Sequence, residues 1–397
     1  MITYQEAIRI IDEHAQVLGR GIRPVTECSE YFLGEDVVAL NDSPPFDCSA
    51  VDGYGRRAED LASPILALAG QVRAGDSGDV RLQVGQCVRI LTGAPVPPDV
   101  AAISMQEDCR ETEEGVQFLE NAQAGQHIRG AGSDFRQDDL LLVRGSRMNP
   151  ASVGIAVSGG HQRLEVMVKP RIHVITTGDE LVSAGEPLNR GQIYNSNEAA
   201  LGDALRNLSS RTHFWHCQDD PAALKDRLFV ALHEEDVILT VGGVSVGSHD
   251  YVKEVLGDLG AEEKFWRVSI KPGKPIYFGI KGKTVVFGLP GNPVSALVTY
   301  FLFARPAILK MMGHPDPWPK PVKARFEGEA RKNPGRMEFL RGTISGDGSR
   351  AIAKGGQDSH MLSGLATANC LIHFPLEATE LNTGDEVEVT MLNWGLS

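Results

Sequence analysis

The chain has 397 residues, a length that predicts two to three domains at about 150 residues per domain. Hydrophobic residues make up 42% and charged residues 23% of the chain, which is typical of a globular protein and excludes global disorder. The 39 basic and 52 acidic residues give a net charge of −13, so we expect no nucleic-acid partner.

Nothing in the sequence indicates secretion or a membrane partner. The start, MITYQEAIRI, lacks a basic stretch followed by an apolar run, so we expect no signal peptide. Segment 294–312 comes nearest to a membrane span, but Arg305, Pro306 and Lys310 interrupt it. The six cysteines form no C-x-x-C pair, which argues against a zinc cluster or a dense disulfide framework. The reducing cytoplasm is therefore the expected location.

The first predicted element is a helix. Thr3 and Glu6 form the capping-box pattern of a helix start. Apolar residues then recur at helical spacing as far as Leu18, and Gly19 and Gly21 end the predicted helix.

Residues 41–145 have a different pattern. Short apolar runs alternate with clusters of Gly, Pro and Asp, which predicts a β-rich domain. Residues 150–168 return to a helix-like pattern, and Pro170 marks a boundary.

From residue 171 onward, strands alternate with helices. This alternation predicts a doubly wound α/β domain, with a mostly parallel sheet and helices on both faces. A second β-rich stretch follows Pro315, with its clearest strands at 371–374 and 386–391. The predicted strands of the α/β part are 171–176, 212–217, 236–241 and 283–289, and its predicted helices are 197–208, one beginning at Pro221, 250–259 and one beginning at Val294.

These elements divide the chain into four predicted units. The first is an N-terminal helical part, formed by 1–40 together with 146–168. The β-rich second domain spans 41–145, the α/β domain spans 169–316, and a C-terminal β domain spans 317–397.

Five unusual segments follow predicted strands of the α/β part. In open α/β sheets, ligands bind beyond the carboxyl ends of the strands, so we expect all five segments at one edge of the sheet. They are TTGDE at 176–180, QDD at 218–220, GGVSVGSHD at 242–250, KPGK at 271–274 and LPGNP at 289–293.

The glycine-rich segment beginning at Gly242 is suited to an anion. Glycine lets backbone N–H groups approach a ligand closely, and a following helix start favours negative charge. Ser245 and Ser248 add hydroxyl donors. The segment is neither a Walker loop nor a G-x-G-x-x-G fingerprint, and a plain strand-to-helix turn is the alternative.

Acidic residues lie in the same segments. Carboxylates are the usual protein ligands of Mg²⁺, which offsets the charge of phosphates, whereas acids without a metal would repel a phosphate. Helix capping is the alternative, above all for Asp220 before Pro221. The acids are Asp179, Glu180, Asp219, Asp220 and Asp250.

Two cations on a short turn suit a compact oxyanion. Lys271 and Lys274 flank Pro272 and Gly273, with Arg267 four residues upstream. A lysine at about 4 Å contributes on the order of 4 kcal/mol at an effective dielectric near 20, before desolvation is subtracted. Distant charges are screened over about 8 Å, so local cations outweigh the negative net charge. A solvated run of charges is the alternative.

Two other patterns carry weaker signals. Asn292 before Pro293 fits a helix N-cap, which explains that segment locally. His213, His216 and Cys217 resemble metal ligands, but positions 213 and 216 of a strand point to opposite faces, so we expect no zinc site there. No cysteine–histidine pair is singled out as catalytic.

Together the motifs are specific, and the chain resembles the MoeA family of molybdopterin molybdenumtransferases over essentially its whole length. That family shares its fold with the E domain of gephyrin, and the resemblance implies a β-barrel-like C-terminal domain. The motifs are PPFDCSAVDGY at 44–54, LTGAPVP at 91–97, TGDEL at 177–181, GQIYNSN at 191–197, GGVSVG at 242–247, IKPGKP at 270–275 and GLPGNPVS at 288–295.

The resemblance implies a reaction and its residues. Adenylylated molybdopterin and molybdate bind, the adenylate is cleaved, and molybdenum cofactor and AMP are released. Glu180 and Asp250 are the implied ligands of Mg²⁺, and Asp52 and Thr92 of the β-rich domain match further catalytic positions. The implied cofactor-binding residues are Thr177, Gly178, Asn195, Gly242, Gly243, Ser245, Gly247, Lys271, Lys274, Pro290, Gly291, Asn292, Ser295, Arg336, Arg341 and Ser359.

Within that set, the resemblance separates two ligands. The glycine segment from Gly242 to Gly247 would hold the pterin or its phosphates. The molybdate dianion would be received by Lys271, Lys274 and Ser295, completed by Arg336, Arg341 and Ser359 of the C-terminal domain.

The resemblance also implies an elongated homodimer in which the β-rich domain reaches the partner's cleft. A molybdopterin adenylyltransferase and molybdoenzyme-maturation proteins are further expected partners.

Three positions depart from the family pattern: Arg267 replaces a common Lys, Ser133 replaces a Glu beside Asp134, and Cys48 replaces a polar amide.

Two other functions are compatible with the fold. One is a molybdopterin adenylyltransferase, since the glycine loop and the L-P-G-x-P turn also occur in such enzymes, although those lack the other domains. The other is a scaffold that has lost catalysis; Glu180, Asp250, Lys271 and Lys274 argue against it.

Overall fold

The computed structural model describes residues 1–243 and 251–394, and its described part contains three six-stranded sheets. One sheet forms the α/β unit, one the β-rich second unit and one the C-terminal unit. This arrangement confirms the predicted multidomain α/β plus β fold. The boundaries between the units stay a prediction.

The central sheet has a doubly wound architecture. Its first four strands in spatial order are parallel, and the last two run antiparallel to their neighbours. In that order the strands are Arg211–Cys217, Arg171–Thr177, Val237–Val241, Thr284–Leu289, Pro275–Lys281 and Glu262–Arg267.

Helices cover both faces of the central sheet. Ser196–Leu205 and the helix that begins at Pro293 pack on one face, through residues such as Leu201 and Val298. Pro221–Glu234 and Val252–Asp258 pack on the other face. The predicted helix and strand types are therefore correct here, with ends that differ by a few residues.

The helix beginning at Pro293 is a core element. Pro293–Thr299 continues through a π-helical turn, Tyr300–Ala304, into Arg305–Met311. Within the described residues, the stretch Pro293–Met311 is long enough and apolar enough to cross a bilayer. However, 94% of its most apolar part is buried inside the protein. Its apolar composition is thus explained by burial in the core.

The N-terminal unit differs from its prediction in two places. The helix Tyr4–His14 has the predicted capping box, but it ends before Ala15, so Leu18 lies outside it. Residues 150–168 are only half helical, because the helix Pro150–Ser158 stops at Gly159.

The remainder of that segment is the strand Arg163–Met167. It alternates buried Leu164 and Val166 with more exposed neighbours, a pattern of period two. It pairs antiparallel with Arg20–Pro24, which brings two distant parts of the chain together.

The β-rich unit is built around one sheet with short paired strands beside it. In spatial order its strands are Ala102–Met105, Gly53–Arg56, Gln86–Ile90, Ile65–Val72, Gly115–Phe118 and Cys109–Thr112. Short pairs join Val37–Val38 to Leu140–Leu142, and Cys48–Ser49 to Ile128–Arg129.

The C-terminal unit closes into a barrel, because Met337–Ile344 pairs with both Arg350–Ala353 and Cys370–Phe374. The short strand Ile270–Lys271, from the α/β unit, adds to the barrel in parallel with Met337 and Glu338. The barrel strands in order are Met337–Ile344, Arg350–Ala353, Val322–Glu327, Glu386–Met391 and Cys370–Phe374, and the short helix Leu362–Ala366 follows the second of them in the chain.

One buried cation organises the β-rich unit. The Arg56 side chain is fully buried and its guanidinium lies 4.2 Å from the Phe118 ring centroid. It donates hydrogen bonds to the carbonyl oxygens of Asp60, Leu61, Ser63 and Glu120, at 2.6–3.2 Å. These bonds tie two loops to the sheet.

We expect Arg56→Leu to destabilise the protein by about 3 kcal/mol, because the buried carbonyl of Asp60 and three less buried carbonyls lose their donor, and a buried carbonyl left without a donor costs about 1–3 kcal/mol. Thermal unfolding and limited proteolysis of the full chain measure this change. Arg110→Leu is the matched control, an exposed arginine on a strand of the same sheet. Equal melting temperatures for the two variants would contradict the assignment.

Candidate functional site

A cavity of about 600 Å³ lies beyond the carboxyl ends of the parallel strands, where the sequence predicts a ligand. Eight of the predicted residues line it: Thr177, Gly178, Glu180, Gly242, Gly243, Pro290, Gly291 and Asn292. Segments from four predicted loops are therefore brought together. Ser245, Gly247, Ser248 and Asp250 lie outside the described residues.

Glycines form the floor of this cavity. Gly242 has a φ of +92°, and a Cβ added there would lie 2.7 Å from the Thr177 hydroxyl oxygen. Within the described residues, a Cβ on Gly291 would meet the Gly242 Cα at 3.7 Å and nothing nearer. The Gly242 N–H donates to the carbonyl of Leu289 at 3.1 Å, so this N–H ties two strand ends together instead of facing a ligand.

Two carboxylates line the same cavity, Glu180 and Asp219. The Glu180 side chain folds back over Gly178, where an added Cβ would lie 2.5 Å from a carboxylate oxygen. Asp179 accepts the Asp219 N–H at 3.1 Å and thereby joins two of the loops. Asp220 caps the helix Pro221–Glu234, as its local pattern predicts.

Asn197 is a cavity residue that the prediction did not include. Its amide nitrogen donates to the carbonyl of Gly291 at 2.7 Å, and the residue is 8% exposed. Its buried Oδ1 has no partner within the part of the chain that the structure describes. The sequence did contain a signal for Asn197, because this residue ends the motif at 191–197 that also contains the predicted Asn195.

Asn195 lies just outside this cavity. Its side chain caps the helix Ser196–Leu205 by accepting the Glu198 N–H at 3.3 Å, and it donates to Thr176 at 2.9 Å. It lines a neighbouring cavity of about 680 Å³ that shares Leu181 with the first. Its role as a helix cap is therefore established by geometry.

Asn292 behaves in the opposite way. It occupies the N-cap position of the helix that begins at Pro293, but its side chain makes no capping hydrogen bond. The side chain lines the cavity instead. Local capping, the alternative explanation for this residue, does not account for its side chain.

The turn that carries Lys271 and Lys274 lies beside the cavity, because Pro275, the residue that follows it, is one of the lining residues. The Lys271 ammonium lies 3.2 and 3.3 Å from the two carboxylate oxygens of Glu338, a residue of the barrel that is 8% exposed. Lys274 is exposed and has no ion-pair partner among the described residues. Sequence alone did not indicate Glu338.

The C-terminal residues predicted for the oxyanion occupy different environments. Arg341 is fully buried and donates to the carbonyls of Gly356 and Asp358, so it holds the loop before Ser359. The Ser359 carbonyl accepts the Val294 N–H at 3.2 Å, and the next residue, His360, lines the cavity. Arg336 is exposed, and Ser295 is 4% exposed within its helix.

Asp52 and Thr92 form a pair in the β-rich unit. One Asp52 oxygen accepts both the Thr92 N–H and its hydroxyl, each at 2.7 Å. The backbone bond, followed by the hydroxyl bond, holds the pKa of Asp52 below its ordinary value. Neither residue is among those that line the cavity of this chain.

Two of the three departures from the family pattern, Arg267 and Cys48, have local explanations, and nothing in the structure explains Ser133. The Arg267 guanidinium lies 4.0 Å from the Trp266 ring centroid, a stacking contact that suits arginine. Cys48 is 6% exposed in a strand that pairs with Arg129.

Family comparisons agree across the chain. Family models match at residues 2–160 (MoeA N-terminal region, domain I and II), 173–310 (probable molybdopterin binding domain) and 323–392 (MoeA C-terminal region, domain IV). These matches cover all three sheets described above.

Full-length relatives are also similar. A molybdopterin molybdenumtransferase of Haemophilus influenzae is 34% identical, with 92% of each chain covered. Molybdopterin molybdenumtransferase 2 of Mycobacterium tuberculosis is 35% identical over 96% of this chain and 99% of the relative. A crystal structure of the molybdopterin biosynthesis MoeA protein of a Pyrococcus species superposes with a TM-score of 0.79 at 30% identity, covering 99% of both chains.

We expect Gly242→Ala to destabilise the α/β unit by at least about 1 kcal/mol, because a left-handed backbone costs an L-residue about 1–2 kcal/mol before the contact with Thr177 is added. Thermal unfolding should then shift downward by a few degrees, at about 2–4 °C per kcal/mol. Gly291→Ala is the matched control, whose added methyl meets only an ordinary contact. A melting temperature for Gly242→Ala at or above that of the control would refute the proposed floor.

Proposed function

The chain belongs to the MoeA family of molybdopterin molybdenumtransferases and has a role in molybdenum cofactor biosynthesis, and from that premise we propose its reaction in detail. We propose that it binds adenylylated molybdopterin and molybdate and cleaves the adenylate. Molybdenum then joins the dithiolene of the pterin, and molybdenum cofactor and AMP leave.

One observation carries this proposal: a glycine-floored cavity, containing two carboxylates, lies beside a lysine turn at the carboxyl edge of the sheet. Its volume of about 600 Å³ is in the range of small-molecule sites, about 300–1,000 Å³. The pterin and its phosphates would occupy this cavity, and molybdate the adjoining turn.

Helix starts favour the negative charge of this substrate. Ser196 and Asn197 belong to the first turn of Ser196–Leu205, and Pro293 begins the buried core helix; all three line the cavity. The N-terminus of a helix carries about half a positive charge and is a common site for phosphate. The same cavity residues would therefore orient the pyrophosphate.

The donor set fits Mg²⁺. Mg²⁺ is usually held by one or two carboxylates together with substrate phosphates, and Glu180 and Asp219 are carboxylates of the cavity. Glu180 and Asp250 would hold the ion, which when bound offsets the charge on the phosphates. The turn at Gly178, whose φ of +142° suits glycine, supports this role, because the Glu180 carboxylate folds over it within the cavity.

Lys271 and Lys274 would receive the molybdate dianion. The barrel positions this turn, because Ile270–Lys271 is a strand of its sheet and Glu338 holds the Lys271 ammonium. Arg341 contributes by fixing the loop that leads to Ser359. Lys274 supplies a cation that the described carboxylates do not neutralise.

We also propose a homodimer in the cytoplasm, in which Asp52 and Thr92 of one chain serve the cavity of the other. Their separation from the cavity of the same chain supports this arrangement. The ionised Asp52 would then add a carboxylate to the partner's site. A molybdopterin adenylyltransferase that supplies the substrate, and proteins that mature molybdoenzymes, are the further partners we propose.

We expect AMP release from adenylylated molybdopterin in the presence of Mg²⁺ to depend on molybdate. Asp250→Ala should bind the adenylylated substrate but release no AMP. AMP release from that variant at the wild-type rate would remove Asp250 from the mechanism. A folded wild-type protein that binds the pterin and releases no AMP would indicate a scaffold, and adenylylation of molybdopterin by ATP would indicate an adenylyltransferase.

We expect Lys271→Ala to raise the molybdate concentration required for half-maximal AMP release at least tenfold, because it removes a cation from the oxyanion turn. Glu338→Gln should lower that concentration, because it removes the carboxylate that competes for the same ammonium. Lys283→Ala is the control, an exposed lysine in the turn before Thr284–Leu289. The same molybdate dependence in Lys271→Ala and Lys283→Ala would place the oxyanion elsewhere.

A further inference from the structure

Three potential metal ligands converge on the face of the central sheet that is covered by Pro221–Glu234. His173 and His213 are direct neighbours in the parallel register of two strands, so both side chains lie on the same face. Glu235 follows Pro221–Glu234 as its C-cap and reaches the same point. One ligand atom from each of the three residues lies within 4.8 Å of the others.

Two of these side chains are buried with polar atoms left over. His173 is 4% exposed and Glu235 is 3% exposed. The His173 Nε2 and the Glu235 Oε2 have no hydrogen-bond partner in the described parts of the chain. An unsatisfied buried polar atom costs about 1–3 kcal/mol, so two of them at one point require an explanation.

The other contacts leave these atoms available. The second Glu235 oxygen, Oε1, accepts from Arg211 at 3.0 Å and lies 3.3 Å from the His213 Nδ1. Burial lowers the pKa of His173 to about 4, with smaller contributions from His213, Arg227 and Arg211, so its ring is neutral near pH 7. A neutral imidazole is the form that binds metals.

We propose that His173, His213 and Glu235 form a binding site for a divalent first-row transition-metal ion, of which Zn²⁺ fits the donors best. Two imidazoles and one carboxylate are a common three-residue zinc set, with water at the fourth position. The site is open to that water, because the His213 side chain is 45% exposed.

The required adjustment is small. Zinc holds nitrogen and oxygen ligands at about 2.0–2.2 Å, so ligand atoms of a tetrahedral site lie about 3.4 Å apart. The His213 Nδ1 lies 3.3 Å from Oε1 of Glu235, the oxygen that Arg211 holds, so the imidazole is already next to the carboxylate that would bind the ion. The remaining separations, at most 4.8 Å, close by rotation of the exposed His213 ring and a shift of the carboxylate. Arg211 would keep its hydrogen bond to Oε1 of Glu235, while Oε2 binds the ion. Carboxylates that bind metals are commonly held by such a hydrogen bond.

This site is separate from the substrate cavity. His173 precedes Thr176, the first residue of this strand that lines the cavity, by three residues, which places it roughly 10 Å from the cavity edge at about 3.3 Å per residue. The bound ion would join two strands and the end of a helix. Its role would be to brace the edge of the central sheet at Arg211–Cys217.

The test uses the untagged full-length protein after removal of metal with a chelator. Zn²⁺ binding is measured by titration calorimetry and by metal analysis after gel filtration, and Co²⁺ absorption reports the coordination geometry. The variants are His213→Gln, which changes a half-exposed side chain, and Glu235→Gln, which preserves shape. Their matched controls are His233→Gln and Glu234→Gln, neighbouring exposed residues outside the cluster.

We expect one Zn²⁺ per chain in the wild-type protein and both controls, with a rise in melting temperature on metal addition. His213→Gln should bind Zn²⁺ at least tenfold more weakly and lose that rise, while circular dichroism shows it folded. Uptake of no Zn²⁺ by the wild-type protein in excess metal would overturn the proposal. Zn²⁺ binding by His213→Gln with the same stoichiometry and affinity as His233→Gln would also overturn it.

Discussion

The parallel alignment of four strands is the constraint on which the site depends. Because Arg171–Thr177, Val237–Val241 and their neighbours run in the same direction, their carboxyl ends meet at one edge, and every loop that leaves a strand there faces the same space. Two of these loops approach closely at Gly242, where an added Cβ would lie 2.7 Å from the Thr177 hydroxyl oxygen, so that position requires a residue without a side chain. Helices on both faces bury the sheet and hold the alignment.

Much of this edge could be predicted from sequence, because its signals are local. A strand followed by TTGDE or LPGNP identifies both the strand end and the loop, and parallel alignment then places the loops together without further information. Asn195 and Asn292 mark the limit of local reasoning. Both precede a helix, yet Asn195 makes the capping hydrogen bond and Asn292 does not. The difference depends on which partners tertiary packing offers to each amide, and spacing along the chain does not contain that information.

The same limit explains Leu18, Glu338 and the histidine cluster. The apolar spacing up to Leu18 continues a helical pattern, but the helix ends before Ala15. Leu18 lies beyond the helix, and its N–H donates to the carbonyl of Met311. Glu338 meets Lys271 across two units, 67 residues apart in the chain. His173 meets His213 only through the register of adjacent strands. Histidines 40 residues apart carry no joint signal, whereas His213 and His216, which are close in sequence, point to opposite faces.

The ion pair between Lys271 and Glu338 joins the barrel to the lysine turn of the α/β unit. An isolated lysine turn would carry two positive charges and would attract any anion. With Glu338 on one ammonium, the turn carries a net charge nearer +1, and in the proposed reaction molybdate would share or displace a carboxylate at 3.2 Å. A dianion is attracted to both lysines about twice as strongly as a monoanion, but Glu338 also repels it about twice as strongly, so the net charge of the whole turn decides the attraction. The pairing of Ile270–Lys271 with the barrel therefore sets both the position of the turn and its net charge.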